Sequence, residues 1–276
     1  MNQNEIDELN AMCNRMRQDC LVMSKAAGRQ GFHFGATLSL IELMAVMYDK
    51  VVRYDFGNPD WEERDRVIIS KGHGVPAYYA FLHQKGLVSD EEIATFKTDN
   101  TELYGHPSCN KRLGIEFSSG SLGQGLSLAV GVALGLRKKR NDSSRVFVVL
   151  GDGECNEGSV WEAAMSAAKY KLSNITVVID CNGLQYDGKT EDVMPWNSMK
   201  DSWKSFGWEV SEIDGHDVTQ CYNSLVKLTD KPHVVIGKTI KGKGISFMEN
   251  NHTWHHGIMT REQESQGWEE VKTGEY

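Results

Sequence analysis

The sequence predicts an α/β fold with a mostly parallel central sheet and helices on both faces. Short apolar runs alternate along the chain with longer segments of helical periodicity, as in repeated βαβ units. The clearest unit spans residues 146–179, where two apolar runs flank a glycine-rich turn and a helix-like segment. Runs of both kinds continue to residue 240, so the predicted sheet extends beyond this unit.

Each element is predicted from its periodicity and from the glycine and proline residues at its ends. Helices are predicted at residues 5–27, 38–48, 77–82, 126–140, 160–168, 199–206 and 218–228. Strands are predicted at residues 67–69, 146–150, 175–179, 208–213 and 232–240. Every strand after the first follows a helix, which favours parallel pairing.

The composition narrows the class of protein. A chain of 276 residues can bury a substantial core, as one large domain or two small ones. The formal net charge of −8 argues against general nucleic-acid binding. Without a transmembrane-length apolar run or a signal-peptide pattern, no membrane association is expected. The six cysteines lack paired spacing, which favours reduced thiols in a cytoplasmic protein.

Two polar side chains follow consecutive predicted strands. Asp152 follows the strand at 146–150, and Asn182 follows the strand at 175–179. The carboxyl ends of parallel strands lie on one edge of a sheet, where ligands commonly bind. We therefore expect Asp152 and Asn182 to share a hard metal ion, although a Gly-Asp-Gly turn alone is also a common structural turn.

Three histidines lie in loops beside glycine or proline: His33, His73 and His106. Each one alone would be an ordinary loop histidine. His73 lies where a strand turns into a helix, near free backbone N–H groups that suit a phosphate. Imidazoles also bind hydroxyl groups and transfer protons near neutral pH. Together the three histidines predict a ligand site.

Three further stretches allow more than one interpretation. The turn at 118–125 suits close approach of a cofactor to bare amides, whereas Gly131 and Gly135 in the following helix equally favour helix packing. The stretch 237–244 resembles a nucleotide P-loop, but glycine replaces the required serine or threonine and no helix is predicted after it. The histidine-rich tail at 251–257 favours a substrate- or phosphate-facing loop over a transition-metal site.

In this order, the motifs resemble the N-terminal, pyrophosphate-binding half of the transketolases, which are thiamine-diphosphate enzymes. The matching stretches are Gly31-Phe-His33-Phe-Gly35, Arg64-Asp-Arg-Val67, Gly72-His73, Gly105-His106-Pro107, Leu122-Gly-Gln-Gly125, residues 151–158 with Asn182, residues 238–244 and His256-Gly257. The resemblance implies a thiamine-diphosphate-binding fold of the pyrophosphate-domain type. It implies a single domain at 1–276, with the motif-bearing core at about 10–260.

The resemblance also implies a role for each matching residue. The implied ligands of Mg²⁺, with Ca²⁺ or Mn²⁺ as alternatives, are Asp152, Asn182 and the main-chain carbonyl of Leu184. The implied contacts of thiamine diphosphate are His73, Gly120, Leu122, Gly153, Glu157 and His256. The implied catalytic residues, which surround the reacting sugar carbon and pass protons, are His33, His106 and His256. Glu157, and less directly Glu162, would also lie at the contact with a second polypeptide.

The implied activity is transfer of a two-carbon ketol (glycolaldehyde) unit from a ketose phosphate to an aldose phosphate. Transketolases continue with a pyrimidine-binding domain, which carries the cofactor-activating glutamate, and a C-terminal domain, whereas this chain stops at Tyr276. The resemblance therefore implies a split enzyme. This subunit would act only with a separate C-terminal subunit, as a heterotetramer, on sugar phosphates and without nucleic-acid or membrane partners.

Alternatives remain at the level of sequence. The chain could belong to another thiamine-diphosphate enzyme, similar to a deoxyxylulose-phosphate synthase or to a 2-oxoacid dehydrogenase α subunit, or be a non-catalytic scaffold subunit. The dispersed histidines argue against the dehydrogenase, and the chain length argues against an intact synthase. Phe32 and Phe34 beside His33, and the stretch Trp254-His-His256, depart from the commoner pattern. They leave the sugar open between the pentose phosphate route and a specialised pathway.

Overall fold

The computed structural model of the protein describes residues 1–195 and 197–274. Its strands are β1 (Arg66–Ile69), β2 (Val146–Gly151), β3 (Ile175–Cys181), β4 (Glu209–Asp214) and β5 (His233–Lys238). Its α-helices are α1 (Gln3–Ala27), α2 (Phe34–Leu38), α3 (Ile41–Val46), α4 (Val75–Gln84), α5 (Asp90–Ile93), α6 (Gly125–Lys138), α7 (Gly158–Lys169), α8 (Thr190–Val193), α9 (Met199–Ser205), α10 (Val218–Leu225) and α11 (Arg261–Thr273). The domain limit predicted at Tyr276 lies outside the described residues.

The five strands form one parallel sheet in the order β1-β2-β3-β5-β4, which confirms the predicted fold class. The inner strands carry apolar side chains at nearly every position, and successive side chains point to opposite faces of the sheet. Both faces are therefore buried. In β2, Phe147 and Val149 belong to a core that includes α1, α3, α4 and α10. Val148 and Leu150 belong to a second core, which includes α6, α7 and α9.

The strand register brings distant loops together at the carboxyl edge. Gly151 at the end of β2 pairs with Asp180 in β3, and Asp180 pairs with Gly237 in β5. The loops that follow these three strands therefore leave the sheet side by side. The loop after β1 joins them because β1 is the other neighbour of β2. Ligand sites of parallel sheets lie at this edge.

Several helical segments differ from the sequence prediction, which did not include α5 or α8. The helix predicted at 38–48 begins earlier, as α2 at Phe34, divides after Leu38 and continues as α3, which ends in a π-helical turn, Met47–Val51. At the division, the Ser39 hydroxyl donates a hydrogen bond to the Asp180 carboxylate at 2.6 Å. Helix α11 was not predicted, and a capping box formed by Thr260 and Gln263 begins it.

Two expectations from composition can be compared with the structure. All six cysteines have free thiols. Within residues 1–195 and 197–274, no helix is both long enough and apolar enough to cross a membrane.

Candidate active site

A cavity of about 380 Å³ opens at the carboxyl edge of the sheet, within the size range of small-molecule sites. All but one of the predicted site residues line it: His33, His73, His106, Gly120, Leu122, Asp152, Gly153, Glu157, Asn182 and Leu184. The exception is His256. The cavity is also lined by residues for which the sequence predicted no individual role, among them Lys71, Glu154, Gln185, Tyr186, Lys241 and His255.

The three predicted metal ligands lie in the loops after β2 and β3. Asp152 is buried, and one of its carboxylate oxygens accepts the Gly183 N–H at 2.7 Å. The Asn182 amide oxygen accepts the Leu184 N–H at 3.1 Å. Burial and the nearby Asp180 carboxylate raise the pKa of Asp152. Its ionised form is therefore poorly compensated, and a bound cation would relieve this.

A buried lysine, Lys241, reaches the same place from the loop after β5. Its Nζ donates to the Leu184 carbonyl at 3.0 Å and lies 3.1 Å from His255 Nδ1. Burial and the charge of Lys71 lower the pKa of Lys241 to about 8. Glycine is required at position 35, because a Cβ there would lie 2.6 Å from Lys241 Cε. A cationic group thus already faces one of the predicted metal ligands.

A second lysine, Lys71, forms a buried ion pair with Asp180 beneath the cavity. Asp180 also accepts hydrogen bonds from Ser39 at 2.6 Å and from Thr239. Burial alone would raise the pKa of Asp180, but Lys71 and these donors outweigh burial and lower it. The Asn182 amide NH₂ donates to Asp180 at 3.3 Å. Asp180 therefore orients Asn182 so that its amide oxygen faces away from this carboxylate.

His33 lies at the centre of a group of imidazoles. Its ring centroid is 5.4 Å from that of His73, 5.5 Å from that of His106 and 5.8 Å from that of His255. Burial, and then the neighbouring histidines and a lysine, lower the pKa of His33 to about 2. Burial also lowers the pKa of His73 and of His106. Near pH 7 these imidazoles are neutral, so each has one donor and one acceptor nitrogen.

The two adjacent histidines of the tail lie in different surroundings. His255 lines the cavity beside Lys241, and burial and the charge of Lys241 lower its pKa to about 3. His256 is exposed, and it packs against Gly31 with its ring centroid 4.5 Å from that of His33. His255 is thus the tail histidine that lines the cavity, whereas His256 lies beside His33, and the diphosphate contact of His256 stays a prediction.

The glycine-rich turn at 118–125 is held by Glu154, a buried residue. The Glu154 carboxylate accepts the Gly123 N–H at 2.8 Å, the Gly151 N–H at 3.1 Å and the Ser70 hydroxyl. Burial raises the pKa of Glu154. This carboxylate fixes the turn against the ends of β1 and β2.

The two predicted interface glutamates are both exposed. Glu157 lies at the cavity wall, whereas Glu162 lies on α7 and does not line the cavity. Their contact with a second polypeptide stays a prediction.

The cavity combines an all-oxygen set of possible metal ligands, two buried lysines and several neutral imidazoles. Among the residues that the structure describes, no three His, Cys, Asp or Glu side chains are grouped to hold a metal ion. A metal here would rely on the single carboxylate of Asp152 with amide and carbonyl oxygens, which suits a hard cation. The arrangement can bind a phosphorylated ligand with such a cation and transfer protons beside it.

Residues 10–271 match the family described as transketolase, thiamine diphosphate binding domain. The chain belongs to the transketolase family. This confirms the predicted resemblance and the prediction of a transketolase-type transferase. The family match also supports the thiamine-diphosphate-binding assignment of the cavity.

Relatives and solved structures agree with the family assignment. Two proteins named as apulose-4-phosphate transketolase subunits, from Phocaeicola vulgatus and Actinobacillus succinogenes, are 40% and 38% identical to this chain. Each match covers 96% of this chain, and they cover 93% and 96% of the two relatives. Human transketolase is 34% identical over 92% of this chain and 40% of its own length. The crystal structure of Campylobacter jejuni transketolase has a TM-score of 0.88 at 29% identity, covering 99% of this chain and 43% of that one.

Proposed function

We propose that this transketolase-family chain is one subunit of a two-chain enzyme that transfers a two-carbon ketol unit from a ketose phosphate to an aldose phosphate. One observation carries the proposal. Asp152, Asn182 and Leu184 share a cavity with the neutral imidazoles of His33 and His106. Cofactor-dependent carbon transfer needs a place for the cofactor's anionic end and proton-transferring groups at the sugar.

A divalent cation fits the oxygen atoms of the cavity. Asp152, Asn182 and the Leu184 carbonyl supply a carboxylate, an amide and a main-chain oxygen, which are ligands preferred by Mg²⁺, with Ca²⁺ and Mn²⁺ as alternatives. The Leu184 carbonyl accepts from the Lys241 ammonium, so this oxygen faces a positive charge in the cavity, and a bound metal would share or replace that contact. We propose Mg²⁺ as the physiological metal.

Thiamine diphosphate would be held by side chains that surround this cation site. The proposed contacts are His73, His255, Lys241 and the Gly153 amide at the diphosphate, with Gly120, Leu122 and Glu157 towards the aminopyrimidine. When bound, the cofactor supplies a thiazolium ring that stabilises negative charge on the transferred carbon. The protein's contribution is to bind and orient, since its buried lysines and neutral histidines are fixed by their own contacts.

The histidines would form hydrogen bonds with the sugar hydroxyl groups and transfer their protons. Neutral His33 and His106 can each donate a hydrogen bond to one hydroxyl group and accept one from another. We propose that His106 removes and returns the hydroxyl proton when the bond between sugar carbons breaks and re-forms. His33, whose pKa is lowered to about 2, is too weak a base for that step and would orient the sugar by hydrogen bonds. His256, packed on Gly31 beside His33, would act with them at the rim.

A second polypeptide would complete the site. The match covers nearly all of two relatives that are named as transketolase subunits but only 40% of human transketolase. Leu122 is 37% exposed in the cavity wall and Glu157 is exposed beside it, which suits burial by a partner. We propose a cytoplasmic heterotetramer in which residues 1–276 form the single pyrophosphate domain, with the motif-bearing core at about 10–260.

The proposed donor is an acidic ketose. Besides the two apulose-4-phosphate relatives, a 6-deoxy-6-sulfo-D-fructose transketolase subunit from Clostridium sp. is 39% identical over 83% of this chain. Phe32 and Phe34, which depart from the commoner pattern, are buried and pack together with ring centroids 4.9 Å apart. Neither lines the cavity, so we propose that other residues select the sugar.

The proposal is tested by mixing purified chains. This protein with thiamine diphosphate and Mg²⁺ should transfer ketol units from apulose 4-phosphate or xylulose 5-phosphate only when a C-terminal transketolase subunit from the same genome is added. Substantial transfer by this chain alone would contradict the two-chain proposal.

A matched variant separates catalysis from scaffolding. In the reconstituted mixture, His106→Ala should remove turnover while thiamine diphosphate still binds. Unchanged turnover would favour the scaffold alternative.

A further inference from the structure

We propose that His216 is a positioning residue for Lys241, acting through a buried relay with Glu42 and Arg17. The relay holds the main chain on both sides of Lys241 and so determines where its ammonium lies in the cavity. The inference rests on the proposed function, because Lys241 is assigned there to the diphosphate.

The first half of the relay fixes the main chain before Lys241. The Ile240 N–H donates to His216 Nε2 at 2.8 Å, and His216 Nδ1 lies 2.8 Å from Glu42 Oε2. A backbone N–H can only donate, so Nε2 must be unprotonated and Nδ1 must carry the proton given to Glu42. His216 thereby joins the loop after β4 to the loop after β5 and to helix α3.

The second half fixes the main chain after Lys241. Glu42 Oε1 accepts from Arg17 Nη2 at 2.5 Å, and Arg17 Nε donates to the Lys243 carbonyl at 3.1 Å. Arg17 and Glu42 are both buried. Burial would raise the pKa of Glu42, but Arg17 and His216 outweigh burial and lower it.

Lys241 has little freedom to adjust independently of its main chain. Its side chain is 1% exposed and passes directly over Gly35. The next residue, Gly242, donates its N–H to the Gly35 carbonyl at 3.2 Å. A shift of the main chain at residue 240 or 243 would therefore displace Nζ from the Leu184 carbonyl, which it contacts at 3.0 Å.

Stability alone does not account for this relay. A buried ion pair often contributes no more to stability than apolar side chains of similar volume. The relay does fix the position of the main chain, because its two ends contact the chain before and after Lys241. His216 itself does not line the cavity, so its effect on the ligand is indirect, and the main chain that it holds leads directly to Lys241.

The test uses two substitutions of His216 in the full chain, with the thiamine diphosphate Kd measured on the reconstituted two-chain complex. His216→Asn keeps a donor near the Nδ1 position and loses the acceptor for Ile240, whereas His216→Gln keeps an acceptor near the Nε2 position. For His216→Asn we expect faster hydrogen exchange of the Ile240 amide and a thiamine diphosphate Kd raised roughly 10- to 100-fold in the presence of Mg²⁺, as for other outer contacts of ligand-binding groups. His216→Gln keeps the acceptor for Ile240 but loses the donor to Glu42, so it should change both quantities less than His216→Asn does.

His233→Gln is the matched control. His233 begins β5, at the strand end far from Lys241, and its Nε2 lies 2.9 Å from the Ser211 hydroxyl. This variant should lower Tm without changing the Kd.

Three outcomes would overturn the inference. Unchanged Ile240 exchange in His216→Asn would show that His216 does not hold the main chain. Faster exchange with an unchanged Kd would show that this contact does not position Lys241 for the ligand. An equal change of Kd in His233→Gln would show that the change of Kd in His216→Asn results from general destabilisation. Absence of thiamine diphosphate binding by the wild-type chain together with its partner subunit would instead contradict the proposed function, and the Ile240 exchange rate would still decide the relay.

Discussion

The Asp152 carboxylate accepts the Gly183 N–H at 2.7 Å, so the loops after β2 and β3 are joined at the edge of the sheet. These two loops supply all three proposed metal ligands. The group that connects the two loops is the Asp152 carboxylate, whose pKa is raised by burial and by Asp180. The protein therefore holds an unfavourable charge at the position proposed for the cation.

Asp152→Asn should abolish the stabilisation given by Mg²⁺ and thiamine diphosphate without destabilising the metal-free protein. An amide there loses ligand affinity and one of the two N–H contacts, from Gly153 and Gly183, that the carboxylate accepts. It also removes an ionised carboxylate that is unfavourable in the folded state, so the two changes in intrinsic stability offset each other. Thermal unfolding with EDTA and with both ligands measures this. Glu191→Gln, an exposed change on α8, is the control and should keep the ligand-induced rise in Tm. An equal rise in Asp152→Asn would contradict the metal assignment.

Lys71→Met should destabilise the protein by about 3–5 kcal/mol, because it leaves the Asp180 carboxylate buried without its cation. The pKa of Asp180 is lowered in the folded state, so the contribution of the pair is present above the ordinary value of 3.8 and is lost as the pH falls below it. Urea unfolding should therefore show the two proteins converging in acid. Lys111→Met, at an exposed pair with Asp60, should have little effect, and equal losses would refute the prediction.

His33→Gln should flatten the dependence of stability on pH below pH 6.5. In the wild type the folded pKa of about 2 lies below the ordinary value of 6.5, so the unfolded chain takes up the proton first. Stability from neutral His33 is complete above pH 6.5 and is lost as the pH falls. Free energies of unfolding at a series of pH values measure the slope. His252→Gln, at an exposed histidine, should keep the wild-type slope, and identical slopes in all three proteins would contradict the burial of neutral His33.

Gly125→Ala and Gly131→Ala should have opposite effects on stability although both lie in α6. A Cβ at position 125 would lie 2.4 Å from Ser70 Cβ, so this change should cost about 1–3 kcal/mol. A Cβ at position 131 meets nothing within 4 Å, and alanine should stabilise the helix by roughly 0.5–1 kcal/mol. Urea unfolding of the two variants checks the signs. Destabilisation by both would show that the Ser70 contact is not what requires glycine.

The sequence was sufficient for the sheet and for the paired loops of Asp152 and Asn182, because apolar runs give strands and parallel strands share an edge. It did not identify Lys71 or Lys241. A lysine is ordinarily exposed, and each of these acquires its role from burial. Lys71 meets Asp180 from 109 positions away, which no local pattern indicates.

The tail and the last helix show two other kinds of limit. His255 and His256 are adjacent in a short turn without periodicity, so only the contacts with Lys241 and Gly31 determine which ring faces the cavity. Helix α11 has few buried side chains and hence a weak apolar stripe. Its capping box is visible in the sequence, but a capping box without a clear apolar stripe does not predict a helix.

The proposed metal and cofactor site is tested most directly by a crystal structure of the reconstituted two-chain complex with thiamine diphosphate and Mn²⁺, in which anomalous scattering locates the metal. We predict a manganese peak ligated by Asp152, Asn182 and the Leu184 carbonyl, with the diphosphate against Lys241 and the other end of the cofactor covered by the partner chain. A peak among the histidines, or a cofactor enclosed by this chain alone, would contradict the proposed site.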